Sequence, residues 1–223
     1  MKYGYFITGT DTGVGKTLIA SALLYQLGRQ GLSTVGMKPV AAGCTESPSG
    51  LLNEDVEALR QAATLKFSTE EICPYLFSAA IAPHIAADEE GKRIELEKIE
   101  ASFTHLAQRA EAIVVEGVGG FRVPLNERHD TADLAAMLRL PIIMVVGLRL
   151  GCLNHALLTA DAIRARGLSL IGWIGNHIDP DMARVEQNIE ALLQRLPCPL
   201  MGIVPFQRQP EPNHIAFKLP MPN

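Results

Sequence analysis

The chain has 223 residues, 48% of them apolar and 20% charged, with a formal charge of −4; this is the composition of a folded domain and excludes a disordered or collagen-like chain. A pI of about 5.9 and the lack of any run of lysines and arginines exclude the basic footprint of a nucleic-acid binder. The longest strongly apolar stretch, 141–148, is far short of the roughly 20 residues of a bilayer-spanning helix.

Residues 3–8 are apolar, partly aromatic or β-branched, and run into a Gly/Thr/Asp cluster, which predicts a buried strand followed directly by a loop. Apolar residues at helical spacing over 16–30 (Ile19, Ala22, Leu23, Leu27) predict a helix, with Gly31 as its stop. A second strand is expected over 34–40, a polar Gly/Ser/Pro-rich loop over 41–50, and a short helix near 55–63. The proline-rich stretch 74–83 gives no clear element. Beyond it the pattern predicts a helix over 95–109, a strand over 112–116, a helix over 131–138, a strand over 141–147, a helix over 154–166, a strand over 169–175, a helix over 181–196 and a strand over 200–204, then a proline-rich tail.

Repeated strand–helix units whose strands are apolar throughout predict an α/β fold, a mainly parallel sheet flanked by helices on both faces, in one domain spanning 1–223. No leader resembling a signal peptide precedes the first strand, so a cytoplasmic protein is expected. Cysteines at 44, 73, 152 and 198 and six dispersed histidines give neither a zinc spacing nor a disulfide framework. In such sheets ligands bind at the carboxyl ends of the strands, so the residues just after each strand carry most information.

Between the first strand and the first helix lies Gly9-Thr10-Asp11-Thr12-Gly13-Val14-Gly15-Lys16-Thr17. Glycines let backbone N–H groups turn toward a phosphate chain, the helix N-terminus adds its dipole, Lys16 reaches the terminal phosphates and the Thr17 hydroxyl suits Mg²⁺. The strict motif places glycine where Thr10 stands, so this is a variant phosphate loop, and a P-loop NTPase fold is expected.

Four further residues are candidates for the same site. Glu116 ends its predicted strand and precedes Gly117-Val118-Gly119-Gly120; it is either an acid held near a magnesium ion or an exposed strand-end acid. Lys38, before Pro39, is a second cation for a transferred phosphate or a solvated strand-end lysine. Asp55 stands at a helix start and is a helix cap or a metal ligand. Asn176 either reads an adenine edge through its amide or belongs to a turn before Asp179-Pro180.

The phosphate loop, Lys38-Pro39-Val40-Ala41, Ala82-Pro83-His84, Val115-Glu116-Gly117-Val118-Gly119-Gly120 and Leu150-Gly151-Cys152-Leu153-Asn154-His155-Ala156 together resemble the dethiobiotin synthetases, in order and spacing over nearly the whole chain. The resemblance implies an ATP- and Mg²⁺-dependent cyclo-ligase that closes the ureido ring of dethiobiotin from 7,8-diaminopelargonic acid and CO₂ or bicarbonate, through a carbamate and a carbamic-phosphoric anhydride, and releases ADP and phosphate. It implies Lys38, Lys16 and Thr12 as catalytic residues and Thr17, Asp55 and Glu116 around the metal. Gly13, Val14, Gly15, Lys16, Thr17 and Leu18, then Gly117, Val118 and Gly119, and finally Asn176, His177, Pro205, Phe206 and Gln207 would hold the nucleotide. Thr12, Lys38, Ala42, Gly151, Cys152 and Asn154 would meet the diamine, the last three across a homodimer interface. Ala42 stands where the usual pattern carries a serine that touches substrate.

Two other readings use the same loop. An ATP-dependent amidotransferase synthetase would need a glutamine-hydrolysing domain for which the chain has no room, so ammonia would have to come from a separate partner. A partition-type ATPase switch often carries a further lysine early in the loop, and here Asp11, Thr12, Gly13 and Val14 occupy those positions.

Overall fold

In β1 (Tyr3–Gly9), Tyr3, Tyr5 and Ile7 join one apolar cluster while Phe6 joins another, the period-two geometry of a strand covered on both faces. The computed structural model describes residues 1–48 and 50–219; Ser49, in the expected loop 41–50, and the last four residues of the proline-rich tail lie outside the described residues. After β1 come α1 (Lys16–Arg29), β2 (Thr34–Met37), β3 (Val40–Ala42), β4 (Thr45–Ser47), β5 (Gly50–Leu52), α2 (Glu54–Ala62), α3 (Thr69–Ile72), β6 (Tyr75–Phe77), α4 (Pro83–Glu89) and α5 (Leu96–Ala107). The strand–helix unit then repeats as β7 (Ala112–Glu116), α6 (Thr131–Leu138), β8 (Ile142–Leu148), α7 (Cys152–Ala165), β9 (Leu170–His177), α8 (Val185–Arg195) and β10 (Leu200–Val204).

Six of these strands form one parallel sheet in the order β10-β9-β8-β1-β7-β2. Ile7, Val114 and Val145 pack with α1 and Leu59 of α2 on one face. The alternate residues Phe6, Ile113 and Val115 pack with α5 and α6 on the other, where α7 and α8 also cover Met144, Val146 and Trp173. This is the expected α/β architecture, with helices on both faces. Ile19, Leu23, Leu24 and Leu27 are all fully buried, and at about 1.5–3 kcal/mol for each such side chain they pin α1 to the sheet and so fix where the loop before it begins.

The structure departs from the expected elements mainly between β2 and β7. The strand expected over 34–40 stops at Met37; Pro39 has no N–H for a ladder, and Lys38 N bonds Ile72 O at 2.9 Å instead. The chain then leaves the main sheet, and β3 pairs in parallel with β6, a strand that the proline-rich stretch concealed. The expected loop holds the end of β3 and all of β4, which pairs antiparallel with β5, a strand that begins at the last residue of that loop. Pro83, also in that stretch, opens α4 at its first turn, where the missing N–H costs nothing. The helix expected from 181 begins only at Val185, after Arg184 adopts φ 59°, and the strand before it extends through Asn176 to His177.

Candidate active site

β1 ends at Gly9, and a Cβ there would stand 2.7 Å from Val14 Cγ2 and 3.1 Å from Lys16 Cδ. The loop folds back over this residue, which accounts for glycine at 9 where the strict motif has it at 10. Gly15 caps α1 at φ 92°; no side chain caps the helix and no acid occupies its first turn, so the first N–H groups face outward for an anion. Lys16 is buried, and its Nζ donates to Asp11 O at 3.0 Å. Burial, opposed by Glu116 and aided by Lys38, pushes its ammonium down to about 8.

Glu116 is 1% exposed, which rules out the exposed strand-end acid. Its Oε1 accepts from Lys38 Nζ at 2.7 Å and from Thr17 Oγ1 at 2.9 Å, while its buried Oε2 has no partner. Lys38, which directly follows β2, is 4% exposed and also pairs with Asp55, so it is not a solvated lysine. Nor is Asp55 the helix cap: the Asn53 side chain accepts from Asp55 N at 3.1 Å and Val56 N at 3.3 Å, which leaves the Asp55 carboxylate to Lys38. Burial pushes the Glu116 carboxyl up against the pull of Lys38. Asp55, although burial works the other way, is held below its ordinary value by Lys38. The Lys38 ammonium, which burial alone would lower, is raised by its two carboxylates.

These groups all line one cavity of about 740 Å³. Thr12, Gly13, Gly15, Lys16, Thr17, Lys38, Ala42, Asp55, Glu116, Val118 and Gly119, all expected at the site, line it. Ala80, Ile81, Ala82, Pro83 and Val123 complete the wall. Ala82-Pro83 was one of the motifs of the resemblance, but without a role; nothing local marked Val123, which reaches the cavity because Thr131 Oγ1 accepts from its N–H at 3.0 Å and folds the loop after β7.

Val14 and Gly117, in the loops after β1 and β7, and Leu18, in the first turn of α1, are not among the residues that line the cavity. Asn176 lies in β9 and not in a turn; it is buried and donates from Nδ2 to Val14 O at 2.9 Å, which ties the phosphate loop to the next strand but one. The rings of His177 and Phe206 meet edge to face at 6.3 Å, with Pro205 and Gln207 exposed beside them. Gly151, Cys152 and Asn154 lie at the start of α7, outside the cavity; Gly151 caps the helix at φ 94°, Cys152 is buried and Asn154 exposed.

A family model described as an AAA domain matches residues 3–213. The ATP-dependent dethiobiotin synthetase BioD of Aromatoleum aromaticum (strain DSM 19018 / LMG 30748 / EbN1) is 51% identical over 218 residues, covering 98% of this chain and 97% of that protein. The chain belongs to the ATP-dependent dethiobiotin synthetase family. The dethiobiotin synthetase of Janthinobacterium sp. (strain Marseille) is likewise 51% identical, over 97% of this chain and 94% of that protein. As a dethiobiotin synthetase the protein is a ligase. A ParA family ATPase from Chlorobium tepidum TLS superposes with a TM-score of 0.58 at 14% identity, over 93% of this chain and 86% of that one. A chain of the MinC:MinD complex of Aquifex aeolicus gives 0.56 at 14%, over 92% and 82%. At such identity these two bear on the fold, which is that of P-loop ATPases. Among the described residues, no helix of this dethiobiotin synthetase is long and apolar enough to cross a membrane.

Proposed function

We propose that this dethiobiotin synthetase closes the ureido ring of dethiobiotin from 7,8-diaminopelargonic acid, CO₂ and ATP. The observation that carries the reading is the cavity itself: two lysines, two carboxylates and a threonine hydroxyl line it together with the apolar side chains of Ile81, Pro83, Val118 and Val123, a wall suited to a hydrocarbon chain. ATP would lay its phosphates on the uncapped start of α1 with Lys16 over them.

One amine of the substrate adds to CO₂ and loses a proton to give a carbamate. A carbamate oxygen then attacks the γ-phosphoryl, and ADP leaves. The second amine adds to the activated carbonyl carbon and loses a proton, phosphate departs with the bridging oxygen, and the ring is closed. No protein nucleophile is needed; positioning and charge neutralisation are what such a transfer requires. Lys38 would turn its charge to the carbamate and the phosphoryl oxygens, and Thr12 would stand beside the diamine. Thr17, Asp55 and Glu116 would hold Mg²⁺, an all-oxygen set that suits a hard cation and includes the unpartnered Glu116 Oε2. When bound, the ion neutralises phosphate charge.

The same reading makes the enzyme a homodimer. The start of α7 has neither a side-chain cap nor an acid in its first turn, a place for the substrate carboxylate, and Leu150 beside it is 92% exposed. In the dimer this corner, with Gly151, Cys152 and Asn154, would close the partner's cavity. The chemical route is tested with ¹⁸O-labelled CO₂ under conditions faster than its exchange with water. One labelled oxygen in the released phosphate is expected, and unlabelled phosphate alongside labelled dethiobiotin would rule out the carbamate as the attacking group.

A further inference from the structure

Asp11 stands where a carboxylate is electrostatically costly. It is part of the phosphate loop, two residues after the end of β1, and its like charge would weaken the hold of Lys16 and the α1 N-terminus on a triphosphate. The structure answers that charge with Arg149, which directly follows β8, the strand beside β1. One Asp11 carboxylate oxygen accepts from Arg149 Nη2 at 2.5 Å and the other from Thr12 N at 2.7 Å. The Asp11 carbonyl accepts from Lys16 Nζ at 3.0 Å. One residue thus connects the arginine, the backbone of Thr12 and the ammonium of Lys16.

The pair contributes little to folding, because its side chains are 40% and 43% exposed and ion pairs so exposed are strongly screened. Its consequence falls on the loop. We infer that Arg149 is a positioning residue of the nucleotide site: it cancels the Asp11 charge beside the triphosphate and holds Asp11 in the orientation that shapes Thr12 and Lys16. The inference rests on ATP occupying this loop, as proposed above.

The test measures ATP Kd by calorimetry, with steady-state KM and kcat, for the full-length enzyme and for Arg149→Ala, Arg149→Lys, Asp11→Asn and the Asp11→Asn/Arg149→Ala double variant, each checked by thermal melting. Asn at 11 keeps an acceptor for Thr12 N and loses the charge. Arg149→Ala is expected to raise ATP Kd and KM about tenfold, as an uncancelled charge near the phosphates does in a partly screened site, with an unchanged melting temperature and a smaller change in kcat. Adding Asp11→Asn should restore most of that affinity, Arg149→Lys should keep it, and the Arg149→Ala defect should shrink in high salt.

An Arg149→Ala affinity within twofold of the parent would overturn the inference. So would a defect that Asp11→Asn does not relieve, since Arg149 would then act on the phosphates directly, or a defect matched by a lowered melting temperature. A parent enzyme that binds no ATP would instead defeat the nucleotide reading and leave the pair without a ligand to serve.

Discussion

Lys38 is 4% exposed between Glu116 and Asp55, so removing it strands Glu116, at 1% exposure, as an uncompensated buried charge. Lys38→Ala is predicted to cost about 3 kcal/mol of folding stability as well as nearly all turnover; urea denaturation showing a loss under about 1 kcal/mol would contradict the buried triad. Lys16 gives a pH prediction. Its ammonium is lowered from 10.5 to about 8, so the folded enzyme loses this proton before the unfolded chain does. Its contribution to folding stability therefore grows as pH rises from about 8 to 10.5, whereas ATP binding, which needs the charge, weakens. Between pH 7 and pH 9 ATP affinity should fall about tenfold, following the protonated fraction; a flat calorimetric profile would contradict the placement of Lys16 on the phosphates. Thr17 was legible because it opens the helix that follows a strand; Glu116, which ends a strand, and Lys38, which follows one, stood at the right rim of the sheet but could equally have been solvent-exposed strand-end residues until their burial was seen. Asp55 was ambiguous because a helix-start acid is ordinarily a cap, and only Asn53 two residues earlier resolves it. Arg149 was not legible at all, since nothing local distinguishes it from a solvated arginine.

The start of α2 is where local structure and the site are coupled most closely. The Asn53 side chain caps the helix through Asp55 N and Val56 N and also donates to Ala42 O at 3.4 Å, so one residue orients a carboxylate of the site and steadies the strand that brings Ala42 to the cavity. Asn53→Ala should destabilise the fold by about 1 kcal/mol, read by thermal melting, and should raise the KM for the diamine, because Asp55 and Ala42 lose a shared support. A variant that melts lower with unchanged kinetics would reduce Asn53 to a cap alone. Elements with a full period of apolar residues were legible: the helix over 131–138 and the strands over 112–116 and 200–204 have the boundaries expected of them. β3, β4, β5 and β6 were not, because three residues are too few to show a period of two and their pairing is set by partners distant in sequence.

The α/β architecture follows from alternation along the whole chain, but the strand order does not. Placing β1 between β8 and β7 depends on which face each helix crosses, which no local pattern records. That order brings the loops after β1 and β7 together and leaves Lys38, released from β2 by Pro39, beside both. The cavity wall at Ala80 to Pro83 comes from the segment between β2 and β7, whose path the amino-acid pattern leaves open. What the cavity turns over is the property of the whole molecule that decides its function. The purified enzyme should be given Mg-ATP and bicarbonate with and without 7,8-diaminopelargonic acid, with ADP release and the mass of dethiobiotin followed together. Diamine-dependent ADP with one dethiobiotin formed for each ADP is the predicted result, whereas ADP release indifferent to the diamine, or no turnover with it, would contradict the account.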